Sequence, residues 1–183
     1  MITKCFNRFS ESGIFTDSFI SQGSVIFKYD DWIEDEQYGW EILSIEDIMT
    51  LPFKDRSQFL RYSYDVDFGK TIGTFDWKNA RHVSNFMNHS CNPNMMYDSN
   101  NAIIAKRDIY AGEELTIDYG NFIVNVDQDF VCNCGHEGCR RSIRKDDWKH
   151  LVYDYGNNFP VFMHNEINHL LMGHATLKVY LFI

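Results

Sequence analysis

Apolar and polar positions alternate in short runs along most of this chain, and only a few segments carry helical spacing. The first thirty residues read as strand, turn, strand. Ser10-Glu11-Ser12-Gly13 has turn chemistry, an extended run starts at residues 13–15, and Gly23 separates it from a second run at 24–29. Residues 62–68 and 71–75 predict two strands around the turn Asp67-Phe68-Gly69-Lys70, and 101–106 and 114–119 predict two more. Between these, Ile42, Leu43, Ile45, Ile48 and Met49 recur at the spacing of one amphipathic helix over 40–49, which Pro52 ends. A second short helix is expected at 56–61 and a helical turn within 79–87. After Asn121 the texture changes to a cysteine-rich knot and a basic stretch at 140–145. Helices are then expected at 147–155, stopped by Gly156-Asn157-Asn158, and at 162–172.

Composition narrows the picture. The chain has 183 residues, 44% hydrophobic and 16% aromatic, which is far from a disordered signature and enough to bury a core. A formal charge of -9 disfavours a general binder of phosphate backbones and makes a basic partner easier to accommodate. No run of apolar residues is long enough for a signal peptide or a membrane span, so an intracellular protein with no membrane partner is expected. Five cysteines, three of them at 132, 134 and 139, suit metal binding better than a disulfide framework.

Those three cysteines fall within eight residues, Cys132-Asn133-Cys134-Gly135-His136-Glu137-Gly138-Cys139, with two glycines that let the backbone curl so that the sulfurs converge. A structural zinc site takes four ligands, and spacing leaves the fourth open between Cys91 and His136. A lone residue such as Cys5 reads as a small hydrophobe.

Three segments in order resemble the SET-domain methyltransferases with a post-SET zinc motif: Asn85-Phe86-Met87-Asn88-His89-Ser90-Cys91-Asn92-Pro93-Asn94, Gly112-Glu113-Glu114-Leu115-Thr116-Ile117-Asp118-Tyr119, and the knot at 132–139. Ser12-Gly13-Ile14-Phe15 is similar to the family's glycine turn, and residues 25–29 to the strand that ends in a pocket tyrosine. The resemblance implies a mainly β fold with short helices: small curved sheets, a C-terminal pseudoknot, a zinc-binding post-SET segment and a helical tail. On this reading residues 1–121 form the SET domain, 122–143 the post-SET segment, and 144–183 a helical appendage.

The resemblance also assigns roles. It implies S-adenosylmethionine and zinc as cofactors, with Ser12, Gly13, Ile14, Tyr62, Asn85, Phe86, Asn88 and His89 at the S-adenosylmethionine site. Tyr119 is the implied catalytic residue, Tyr29 and Ile117 border the lysine channel, and Cys91, Cys132, Cys134 and Cys139 hold the metal. The implied activity is methyl transfer to a lysine of a basic protein, a histone tail first and a non-histone protein second, which would place a eukaryotic histone-directed enzyme in the nucleus and any other in the cytoplasm. Glu11, Asn85, Ile117 and Arg141 depart from the family pattern; a catalytically silent zinc-stapled module, with cofactor use disabled by the first three, is the alternative reading, and intact Asn88, His89 and Tyr119 argue against it. Ile117 has less bulk than the usual aromatic and no hydroxyl, which predicts di- or trimethyl-lysine as product unless Tyr62 or Tyr64 fills the space.

Overall fold

The computed structural model describes residues 1–6, 12–31, 38–128 and 130–180. Glu11 and the acidic cluster Glu34-Asp35-Glu36 lie outside the described residues.

Four small sheets carry the fold. β1 (Ile2–Phe6), which the pattern did not predict, pairs antiparallel with β2 (Ser12–Thr16), so Ser12 and Gly13, read as turn, lie in a strand, and Ser10 lies outside the described residues. β3 (Val25–Phe27) begins a second sheet, taken up below. β4 (Glu41–Ser44) leads into α1 (Ile45–Thr50) and α2 (Phe53–Arg61), and β5 (Tyr64–Asp67) and β6 (Lys70–Gly73) follow. These strands form a sheet in the order β4-β6-β5, and Gly69, at a φ of 85°, makes the predicted hairpin turn between its last two.

The helix expected over 40–49 starts only at Ile45. The Ser44 hydroxyl accepts the Asp47 N–H at 3.1 Å and donates to the Asp47 carboxylate at 2.7 Å, which caps the helix at that point. Ile42 and Leu43 are left in β4, opposite Ile72 and Thr71 of β6. Their apolar side chains suit a strand as well as a helix, and the cap decides where one becomes the other.

Besides β1 and β4, two short strands escaped the sequence pattern: β7 (Asn88–His89) and β8 (Met95–Tyr97). β9 (Ile103–Ala105) sits between β3 and β8, and β10 (Thr116–Ile117) pairs parallel with β7. The helical turn expected at 79–87 resolves into two 3-10 turns, Trp77–Asn79 and Val83–Phe86. Around β3, β8, β9 and β10, buried Ile14, Phe27, Met95, Ile103, Ile109, Leu115 and Ile117 form the main core.

α3 (Trp148–Tyr155) and α4 (His164–Tyr180) follow the knot. Trp148, Leu151, Val152 and Tyr155 recur at the three- and four-residue spacing of one helical face, and all four are buried. That face joins Val124, Phe159, Met163 and Ile167 in a second core. Phe68, from the β5–β6 turn, packs edge-on against Trp148 and Phe162, each at 5.8 Å, so the helices dock on the strand region. Gly156, at a φ of 58°, stops α3 and its N–H donates to the Val152 carbonyl, as the sequence predicts.

Candidate active site

The parallel pairing of β7 and β10 sets Asn88 opposite Thr116 and His89 opposite Ile117. The two sequence motifs, separate along the chain, thus become neighbouring strands. Asn94, 2% exposed, fastens them: its Oδ1 accepts the Thr116 N–H at 2.9 Å and its Nδ2 donates to the Glu114 carbonyl at 2.8 Å. On the other side Asn88 Nδ2 donates to the Ser12 carbonyl at 3.1 Å and to Glu114 Oε1 at 2.8 Å, which draws β2 into the same cluster. A Cβ at Gly13 would meet the ends of the Glu114 and Asn88 side chains, so any larger residue there would displace the pair.

Tyr119 directly follows the paired strand. Its hydroxyl donates to the Met87 carbonyl at 2.6 Å, and its N–H donates to His89 Nδ1 at 3.2 Å. Burial holds the His89 pKa down at about 4, so the imidazole is neutral near pH 7 despite lying 3.7 Å from Asp118. With Nδ1 accepting, the proton belongs on Nε2, which faces Cys91 Sγ at 3.3 Å. The Tyr119 ring packs on Phe122 at 5.4 Å, His89 at 5.3 Å and Phe130 at 6.1 Å.

A cavity of about 890 Å³ opens beside these groups. Ser12, Tyr62, Asn85, Phe86, Asn88, His89, Ile117 and Tyr119 all contribute to its wall, which brings together eight of the eleven expected cofactor, substrate and catalytic positions. The Nδ2 of Asn85 is buried in that wall without a protein partner. The other three positions lie outside the wall. Gly13 stands behind Asn88 and Glu114, both of which line it. Ile14 is fully buried in the main core, where its carbonyl accepts the Leu115 N–H, so its side chain has no path to the cavity. Tyr29 is 45% exposed, because the chain has already left β3 and turned at residues 28–31, where the Asp31 N–H bonds the Lys28 carbonyl.

Sulfur atoms of Cys91, Cys132, Cys134 and Cys139 all lie within 4.8 Å of one another. Cys91 and Cys132 are 3.9 Å apart, too far for a disulfide and close to the ~3.8 Å edge of a tetrahedron with Zn–S bonds of ~2.3 Å. His136 is not part of the cluster; its Nδ1 accepts the Gly138 N–H at 3.2 Å. The donor set is all thiol, with no open position offered by oxygen or nitrogen, and so fits a closed structural metal site.

Residues 11–120 match the family model described as SET domain; the paired motifs fall within them, and most of the cavity wall does too, with Phe6 and residues 122–134 completing it from outside. This chain belongs to the SET-domain family. Its relatives by sequence include the histone-lysine N-methyltransferase ASHH3 of Arabidopsis thaliana, 31% identical over 139 residues that cover 72% of this chain and 35% of that protein. The histone-lysine N-methyltransferase SUV39H1-A of Danio rerio is 28% identical over 138 residues, 57% of this chain and 34% of its own. The chain spans about a third of the length of these two relatives, and 2% of a much longer Plasmodium falciparum relative that is 30% identical over 135 residues.

In this SET-family chain several cavity residues were not singled out from sequence. Glu114 sits inside the second motif, so its place beside Asn88 could have been found there. Tyr97 and Phe122 pack together at 5.9 Å and line the cavity near Tyr119, but nothing in their spacing separates them from core aromatics. Phe130 and Val131, just before the knot, close the wall next to His89.

Proposed function

We propose that this chain transfers methyl groups from S-adenosylmethionine to a lysine side chain of a histone. The observation that carries the reading is the single cavity shared by the Asn88-His89 segment, Tyr119 and the aromatic wall of Tyr97, Phe122 and Phe130. Its relatives' names point to histone lysine as the target, and the acidity of the chain, -9 overall, suits a basic tail. Such a substrate implies work in the nucleus. Among the described residues no helix is long and apolar enough to cross a membrane.

The cavity suits S-adenosylmethionine in size, being within the usual ~300–1,000 Å³ of small-molecule sites. Its chemistry suits it too. Phe86, Tyr62 and Phe130 offer faces for a purine, the unpartnered Asn85 Nδ2 offers a donor, and the Glu114 carboxylate offers an acceptor for an ammonium group. We assign Ser12, Gly13, Tyr62, Asn85, Phe86, Asn88 and His89 to that site and Ile117 to the lysine channel. When bound, S-adenosylmethionine supplies an electrophilic methyl group on a cationic sulfur.

The protein's own residues do the rest. A lysine must be neutral to attack, and the apolar wall of Ile117, Tyr97 and Phe122 lowers its pKa by desolvation, so no dedicated base is needed. The same walls hold nucleophile and methyl group in line and exclude water. Because the Tyr119 proton is committed to the Met87 carbonyl, the phenol oxygen can present only acceptor lone pairs to what approaches it. That polarity favours a developing cation and a polarised methyl group.

We further assign zinc to the four thiols, and residues 1–121, 122–143 and 144–183 to SET domain, metal-binding segment and helical appendage. The deciding experiment incubates the purified protein with isotopically labelled S-adenosylmethionine and a panel of histones, with cell extract in parallel, and reads the products by mass spectrometry. Label on a histone lysine is the expected result. Label only on an extract protein would move the substrate outside histones, and a folded, zinc-loaded protein that labels nothing would overturn the assignment.

A further inference from the structure

Arg140 meets three parts of the molecule at once. Its backbone N–H donates to Cys91 Sγ at 3.4 Å, its Nε donates to Asp147 Oδ2 at 3.1 Å, and Nη1 and Nη2 grip the two Asp118 oxygens at 2.8 and 2.5 Å. Asp118 is fully buried and immediately precedes Tyr119. Its Oδ1 also accepts the Gly120 N–H at 2.9 Å, and its carbonyl accepts the Asn121 N–H at 3.0 Å. One carboxylate and its backbone therefore organise the 3-10 turn Tyr119–Asn121. Gly120 is needed at the crossing point: a Cβ there would stand 2.8 Å from Leu151 Cδ1 and 3.2 Å from Arg140 Nη2.

Neither Arg140, Asp118 nor Asp147 lines the cavity, so none can act on a ligand directly. A buried carboxylate is tolerated only with a well-matched partner, and the planar guanidinium fork satisfies both Asp118 oxygens while a third nitrogen reaches Asp147. An ammonium group is a single point charge and cannot span all three.

We propose that Arg140 is a positioning residue for Tyr119: a clamp that orients the tyrosine backbone through Asp118 and ties that orientation to the thiol cluster on one side and to the start of α3 on the other. The kinetic consequence rests on the methyl-transfer reading above; the structural consequence does not. None of the Arg140 hydrogen bonds reaches Met95, Ile103 or Leu115 at the centre of the main core, although Tyr119 packs on its margin. Loosening it should therefore free the turn while the sheets remain.

The test uses the full chain carrying Arg140→Lys, with amide hydrogen exchange, zinc content and methylation kinetics measured on the same preparation. Exchange at Tyr119, Gly120 and Asn121 is expected to rise about tenfold or more while the amides of β9 keep their protection. Zinc stays bound, kcat falls about tenfold, and the KM for S-adenosylmethionine stays within about threefold. Asp147→Asn, which removes one of the three partners, is expected to move exchange the same way by less, and decides the matter if the lysine variant does not fold. Unchanged exchange at residues 119–121, or an equal rise in β9, overturns the clamp. A wild-type protein that labels no lysine while the variant still loosens the turn counts against methyl transfer alone.

Discussion

The Tyr119 hydroxyl is held by one short hydrogen bond to the Met87 carbonyl, and the ring is wedged among Phe122, His89 and Phe130. Tyr119→Phe keeps the wedge and removes only the oxygen. Turnover is expected to fall by at least about tenfold while S-adenosylmethionine affinity changes by less than about threefold, measured by saturating kinetics and calorimetry. A kcat equal to wild type would remove Tyr119 from the chemistry. The neighbouring question is how many methyl groups are added. Tyr62 and Tyr64 both line the cavity, but the aromatic on β8, which packs beside β10 and its Ile117, is Tyr97, 8% exposed and edge-on to Phe122. Ile117 brings no hydroxyl to the channel, so product beyond monomethyl-lysine is expected from wild type, with Tyr97 as the group that limits it. Tyr97→Phe should raise the trimethyl share and Ile117→Tyr should reduce it; mass spectra at long incubation that show one distribution for all three proteins would separate both residues from product choice.

Among the elements, the β7–β10 pair is only two residues long on each side, so the hydrogen bonds from Asn94 carry much of its register. Asn94→Ala leaves the Glu114 carbonyl and the Thr116 N–H without that partner in a buried setting, at a cost of about 1–3 kcal/mol for each group. A chemical-denaturation midpoint indistinguishable from wild type would show that the strands hold without it. Strands this short explain what the sequence left unread. Two residues carry no alternation, so β7 could not be seen as a strand, and only the family motif drew attention to its Asn-His pair. β4 was hidden for a different reason: Ile42 and Leu43 continue the apolar spacing of α1 backwards, and the capping by Ser44 is a local hydrogen bond that hydrophobic pattern does not register. By contrast α3 was legible to within a residue, because its four apolar positions and Gly156 agree with one another. The candidate site was marked by motif at Asn88, His89, Tyr119 and the four cysteines, which the fold gathers on one cavity wall and in one thiol cluster. It was illegible at Tyr97, Phe122 and Arg140, whose importance comes from partners far along the chain.

At the scale of the whole molecule, the thiol cluster joins the first motif, through Cys91, to the segment beyond the second motif, and α3 closes over the turn between them. Cys91→Ser should abolish stoichiometric zinc binding, whereas His136→Ala should leave about one zinc per chain by metal analysis; the reverse result would show that the ligand set is wrong. Removing the metal with a chelator is expected to lower the melting temperature, since metal affinity is folding free energy in such sites. Leu151→Ala, under the second core and against Gly120, is expected to cost about 2–4 kcal/mol by denaturation.

The parallel strand pair also has a meaning in time. β7 leaves the ribosome before its partners, with one thiol close behind it, and those partners arrive only when β10 and then the last cysteine of the knot have been made, about 50 residues later, or several seconds of synthesis at ~5–20 residues per second. Until then the nascent chain holds half of a pocket and a quarter of a metal site. A chain cut short before residue 132 would therefore keep Cys91 as a lone thiol, without the three sulfurs that the finished fold sets within 4.8 Å of it.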